Sequence, residues 1–270
     1  MIKNRVFLLV LCATSLFAYS DGDLDGVEDA YDRCPNTQFH ELVDLHGCSI
    51  ESLGAQHRFA ILMGAHYTGT NYDTVEQTDT YSGSLEINYY YKNFSIEAST
   101  SYYSANGSAY SDNGLDNSYL GASYQFKLRE DLSMRIGAGF IIPTYDTALN
   151  NNNTDLMGTL NLSYTTGNLN LFGGLGYTRI NDDDIPNTVV YQDTTFYSLG
   201  VGTYATEKLY LSVAYNSSQS IYDGVESIDT ATLYGYYSLD ANWFTTLSYA
   251  YGLSESASDN ALGFKVGYYF

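Results

Sequence analysis

Positive charge is scarce in this sequence: 11 lysines and arginines stand against 31 aspartates and glutamates, a formal net charge of −20. A surface of that sign repels phosphodiester backbones, so nucleic acid is excluded as a default partner. Divalent cations and a strongly solvated surface are favoured instead. Histidine is rarer still, with 4 residues, and no G-x-S-x-G is present. Nucleophilic catalysis therefore lacks its usual parts, and the chain is not expected to be an enzyme. Beyond residue 20 no apolar run approaches the ~20 residues that a transmembrane helix needs. Any membrane crossing must use strands.

The one apolar run is the first twenty residues, MIKNRVFLLVLCATSLFAYS. Lys3 and Arg5 precede an apolar core from Val6 to Ala18, and Ala18 and Ser20 are small residues at −3 and −1 to a cut before Asp21. This is the pattern of a secretory signal peptide over 1–20. Cys12 does not make a lipoprotein site, because Leu11 fills the position where a lipobox needs a small residue. Cutting there removes two positive charges and no acid, so the net charge moves from −20 to −22. Cys34 and Cys48 remain, and in an exported chain that even number reads as one disulfide.

From Arg58 onward one unit repeats: about ten residues of alternation, then a break. In LNLFGGLGY, Leu169, Leu171, Leu175 and Tyr177 share one face, and Asn170, Phe172, Gly174 and Gly176 the other. Period two means strands, here with one apolar and one small or polar face. About twelve such segments are expected, centred on 57–67, 81–91, 93–103, 118–128, 131–142, 155–165, 168–179, 194–205, 207–217, 229–239, 242–253 and 261–270. Short turns at 91–93, 129–131, 166–168, 206–208 and 240–242 alternate with longer loops. That asymmetry is the signature of an outer-membrane barrel with tight periplasmic turns, and an even strand number leaves both barrel ends periplasmic. A soluble sandwich would also alternate. It would not tolerate a face of Gly, Ser, Thr and Asn in its core, nor use 29 tyrosines clustered at strand ends. The terminal LGFKVGYYF, with Leu262, Phe264, Val266, Tyr268 and Phe270 on one face, resembles the C-terminal signal of bacterial outer-membrane barrels. The fold class expected is therefore all-β: a transmembrane antiparallel up-and-down barrel over 57–270, in the outer membrane of a Gram-negative cell. Outer-membrane lipids and lipopolysaccharide are then its surroundings. Long loops carry most of the acids, among them Asp182, Asp183, Asp184, Glu226 and Asp259, and the short turns carry Lys92, Lys127, Arg129 and Lys208.

Between leader and barrel lies DGDLDGVEDAYDRCPNTQFHELVDLHGCS, residues 21–49. Carboxylates at positions 1, 3 and 5 converge only if the chain curls tightly, which Gly26 permits, and hard oxygen ligands of that number suit Ca²⁺. An EF-hand opens the same way but ends in a bidentate Glu between two helices. Here position 12 is Asp32 and the cut site excludes an entering helix. The pattern D-x-D-x-D-G-x-x-D-x-x-D-x-C-P, followed by V-D-x-x-G-C, resembles a thrombospondin type 3 repeat, found beside barrels in bacterial outer-membrane proteins. The resemblance implies a periplasmic calcium module. Its ion would be held by Asp21, Asp23, Asp25, Asp29 and Asp32 and the Val27 carbonyl, and Cys34 and Cys48 would be paired. Closing that loop would contribute roughly 3 kcal/mol by chain entropy, useful to a segment too small for a core of its own. Residues 50–56 read as a linker.

Parity assigns Arg58, His66, Glu86, Glu97, Arg135 and Lys265 to the lumen, with Lys265 and Arg58 neighbours across the closing seam. A mixed-sign belt of this kind is either a constriction that sorts solutes or a network that only neutralises buried charge. Three functions follow: a narrow passive channel for small hydrophilic solutes, a structural or adhesive protein tied to a periplasmic or cell-wall partner through the module, or a lipid hydrolase. The last is disfavoured because His66 points inward beside no evident serine–acid partner.

Overall fold

The alternation is realised as thirteen β-strands, with no helix among the described residues. The computed structural model describes residues 32–34, 46, 48, 57–71, 77–107, 111–144, 152–186 and 188–270. The chain divides into two units, 1–56 and 57–270.

In the second unit the strands run β1 (His57–Thr70), β2 (Thr78–Tyr91), β3 (Phe94–Asn106), β4 (Ser111–Leu115), β5 (Ser118–Lys127), β6 (Leu132–Ile142), β7 (Asp155–Thr166), β8 (Leu169–Arg179), β9 (Thr194–Tyr204), β10 (Leu209–Ser218), β11 (Ile228–Ser238), β12 (Trp243–Gly252) and β13 (Asn260–Tyr269). Apart from β4 and β5, consecutive strands pair antiparallel, and β1 pairs with both β2 and β13, so the sheet closes on itself. Strands β4 and β5 both lie against β3 and are two halves of one stave broken at Asp116 and Asn117, giving a closed barrel of twelve. Closure leaves no unpaired edge, the condition for a sheet to survive in lipid. The twelve segments expected from alternation are all present; β4 is an addition. Its sequence, SDNGL, is of residues that strands disfavour, and only the ladder with β3 makes it one.

The barrel is inside-out. Only Ala60, Leu62, Ala105, Phe244 and Ala257 are buried apolar residues among the described ones, while Met63 is 66% exposed, Leu199 64% and Leu175 61%. Apart from Tyr204 and Ile228 near strand ends, the exposed apolar residues of the long strands fall on the outward parity, and a soluble domain could not carry such a band. Outward aromatics ring both ends: Phe59, Tyr89, Tyr124, Phe126, Trp243 and Phe270 toward the short turns, Tyr67, Tyr81, Tyr102, Tyr177, Tyr197 and Tyr251 toward the long loops. Phe59 and Tyr67 are eight residues apart on β1, about 27 Å along the strand and roughly 20 Å along the normal at ordinary tilt. That span fits the hydrocarbon layer of a thin membrane.

Two of the short turns have two residues. Gly167 (φ 55°) opens the one between β7 and β8, and Lys92 (φ 52°) the one between β2 and β3. The left-handed region suits Gly167 and is tolerated at Lys92 because the hairpin ladder holds it.

In the first unit Cys34 and Cys48 form a disulfide with Cα atoms 5.0 Å apart. The Arg33 amide donates to the His46 carbonyl at 2.8 Å. The Cys34 amide donates to Asp32 Oδ1 at 2.7 Å. Asp21, Asp23, Asp25, Val27 and Asp29 lie outside the described residues.

Candidate channel lumen

The inward parity brings charge together at one level of the barrel. Lys265 on β13 donates to Glu86 on β2 at 2.8 Å, reaching across β1, where glycine at 64 leaves room for it. Asn88 Nδ2 donates to the other carboxylate oxygen of Glu86 at 2.6 Å. Glu97, next on β3, pairs in register with Asn88 and lies within electrostatic reach of Glu86, Lys265 and Arg135. Arg135 on β6 donates to Gln125 Oε1 at 2.9 Å. The belt thus has a joined half, Glu86–Lys265, and an open half, Glu97 and Arg135, which line one cavity of about 430 Å³ with Tyr119, Ser95 and Asn161.

One expectation is corrected. Arg58 is not beside Lys265: the seam register places Lys265 opposite Gly64, and Arg58 sits six residues lower on β1, opposite Tyr90 and near Tyr269. Six residues of strand separate them by about 20 Å. Adjacency of strands does not give their register, and the stagger needed to close a barrel sets it. His66 lies beside a serine, its Nε2 3.0 Å from Ser84 Oγ. That partner is one strand away and invisible in sequence spacing. The pair faces the lumen, and the β13 residues beside the ring are Lys265 and Gly263. Among the described residues no carboxylate is hydrogen-bonded to the imidazole, as a hydrolytic triad requires.

The lumen is filled unevenly. On one side Ala60, Leu62 and Phe244 pack with Tyr90, Tyr236 and Tyr269, and Phe244 stacks on Tyr269 at 4.6 Å and on Tyr236 at 5.3 Å. Around the wall, Phe244 included, inward aromatics lie over glycines. Tyr119 covers Gly139 and Gly121. A Cβ at Gly176, Gly200, Gly202 or Gly267 would fall within the ring of Phe196, Phe172, Tyr210 or Phe244. Each glycine lets a ring stay out of the passage. The sequence signal for these rings is an aromatic on the small-residue face of a strand.

At the long-loop end the barrel opens into a cavity of about 880 Å³ lined by Asp155, Asp182, Phe196, Gln219, Glu226 and Glu255, among others. Its rim is ordered by two loops that hold each other. Ile185 bridges to Val189, Tyr191 to Tyr222, and Gln192 Nε2 donates to the Ser220 and Tyr222 carbonyls. Asp193, on this loop, accepts hydrogen bonds from the Tyr177 hydroxyl and the Ile180 amide, which hold its carboxyl below the usual carboxylate range. At the short-turn end a second cavity, of about 430 Å³, is lined by Lys92, Lys127, Arg129 and Arg135 with Glu130 and Asp131.

No family model matches the sequence, and no curated protein matches it. Solved structures do resemble the fold. An outer-membrane channel of Pseudomonas putida F1 superposes with a TM-score of 0.61 at 14% identity, covering 79% of this chain and 95% of that one. The NanC porin gives 0.56 at 15% identity, with 77% and 98% covered. The KdgM porin gives 0.52 at 11% identity, with 78% and 98% covered. At such identities the likeness is one of architecture, and the architecture is that of the twelve-stranded closed barrel.

Proposed function

We propose that the protein is a passive outer-membrane channel for small hydrophilic solutes, with its short turns and N-terminal unit in the periplasm. One observation carries this reading: behind an apolar exterior, the lumen keeps a polar wall of Gly, Ser, Thr and Asn with the open charged pair Glu97 and Arg135. A purely structural barrel has no need to lay its aromatic rings over glycines to keep that wall clear. The fold is also that of structures described as outer-membrane channels and porins. Conductance across planar bilayers tests it. Discrete openings are expected, and Arg135→Glu should move the reversal potential in a salt gradient toward cation selectivity. Absence of conductance from correctly folded protein would remove the channel reading and leave the structural or adhesive one.

We also infer that the N-terminal unit is a calcium-stabilised module of the thrombospondin type 3 kind. The supporting observation is Asp32, whose Oδ1 is bonded to the Cys34 amide while its buried Oδ2 has no hydrogen-bond partner among the described residues. A buried carboxylate oxygen without a donor is costly, and a hard cation would complete it. Asp21, Asp23, Asp25, Asp29 and the Val27 carbonyl would supply the remaining ligands. The ion would act as structural glue, neutralising the acidic cluster. Calorimetric titration of the whole protein with Ca²⁺, before and after Asp32→Asn, tests it. Equal heats from both proteins would refute the assignment.

A further inference from the structure

The two ends of the lumen carry opposite charge. The long-loop cavity is lined by four carboxylates, Asp155, Asp182, Glu226 and Glu255, and by no lysine, arginine or histidine. The short-turn cavity is lined by Lys92, Lys127, Arg129 and Arg135 against Glu130 and Asp131. Asp131 is already engaged by Arg129 at 2.6 Å. Sequence extends the contrast, for of the eight lysines and arginines in 57–270 only Arg179 lies toward the long loops. Between the ends Glu86 and Lys265 balance as a pair, and Glu97 faces Arg135, the innermost cation of the basic zone.

The zones are far enough apart to act separately. On β6, Arg135 lines the basic cavity and Ile141 the acidic one; six residues of strand span about 20 Å. The Debye length is about 10 Å at 0.1 M salt, so neither zone cancels the other. A simple cation is drawn into the acidic mouth and repelled at the basic one, and a simple anion meets the reverse. A solute with both charges meets neither barrier when its ammonium faces the loops and its carboxylate the turns.

We infer that the lumen is an axially bipolar conduit that favours small zwitterionic solutes over singly charged ones of the same size. This rests on the channel reading above. It has an electrical consequence. When the loop side is positive, cations from the acidic zone and anions from the basic zone both move into the middle, and carriers accumulate there. Under the opposite polarity both leave it, and the middle is depleted. The pore therefore rectifies, and the effect fades at 1 M salt, where the Debye length is about 3 Å.

The test uses the full-length protein in two assays. In single-channel recordings, conductance at 0.1 M KCl should differ about twofold or more between polarities and become symmetric at 1 M. Glu226→Gln with Glu255→Gln, residues with no hydrogen bond among those described for the rim, should reduce the asymmetry. Lys127→Gln should do so from the other end. In liposome swelling at low salt, β-alanine should enter several-fold faster than its amide hydrochloride or the sodium salt of its N-acetyl derivative. A conducting pore with symmetric currents at 0.1 M, or equal entry of zwitterion and either ion, would overturn the inference while leaving the channel intact. No conductance at all would overturn both.

Discussion

Replacing Gly139 by alanine should disturb both the wall and the passage. Tyr119 lies across the register pair Gly121 and Gly139, and a Cβ at 139 would stand 2.5 Å from Tyr119 Cε2, 2.6 Å from Oη and 2.7 Å from Cζ. Carbon atoms in ordinary contact are about 3.5–4.0 Å apart, so the ring must retreat by about 1 Å or more. The strand below cannot give way, because its backbone is held in ladders on both sides. The ring therefore rises into the cavity it lines beside Glu97 and Arg135. Overpacking of this kind costs about 1–3 kcal/mol. Urea unfolding in liposomes reads that loss, and single-channel recording reads a smaller conductance. The decisive control is the same substitution in a Tyr119→Ala background, where it should cost less than about 0.5 kcal/mol. Gly158→Ala is a second control: nothing lies within 4 Å of its Cβ position. Equal destabilisation by Gly139→Ala with and without the tyrosine would refute the idea that the glycine exists to seat the ring.

Lys265→Gln should leave Glu86 without its ammonium. The side chains are 31% and 18% exposed, so the loss of several kcal/mol typical of a fully buried pair shrinks to about 1–2 kcal/mol in a wet lumen. The double variant with Glu86→Gln should recover most of it, and the single variant should be the more cation-selective. Asp240, which accepts the Asn242 and Trp243 amides at 2.8 Å each, has its carboxyl held below the usual range by those bonds. Its contribution is present above the unfolded value near 3.9 and is lost as pH falls through the lower folded value. Asp240→Asn should therefore flatten acid destabilisation, measured as unfolding midpoint against pH. Finally, Cys34 and Cys48 should resist maleimide until reduced, because they are joined to each other; labelling of the untreated, folded protein would contradict the pairing.

Sequence determined the barrel almost completely, for a physical reason: lipid outside and water inside put one solvent on each parity, so each strand prints its own boundaries as alternation. It also marked the acidic segment and which charges face inward. Stave four shows where that legibility ends. Its upper half, SDNGL, has neither alternation nor propensity, and it becomes β4 only because β3 offers a ladder. The site depended on register, which alternation does not encode. A shift of two residues preserves parity yet moves a side chain by about 7 Å along the strand. Hence Lys265 could be assigned to the lumen from sequence, but its partner could not: the stagger of closure chose Glu86 over Arg58, joined His66 to Ser84 and seated Tyr119 on Gly139. The charge bias of the two mouths was already written in the sequence, acids in the long loops and lysines and arginines in the short turns; closure of the barrel turns that bias into cavities, placing Asp155 and Asp182 in one and Arg135 in the other.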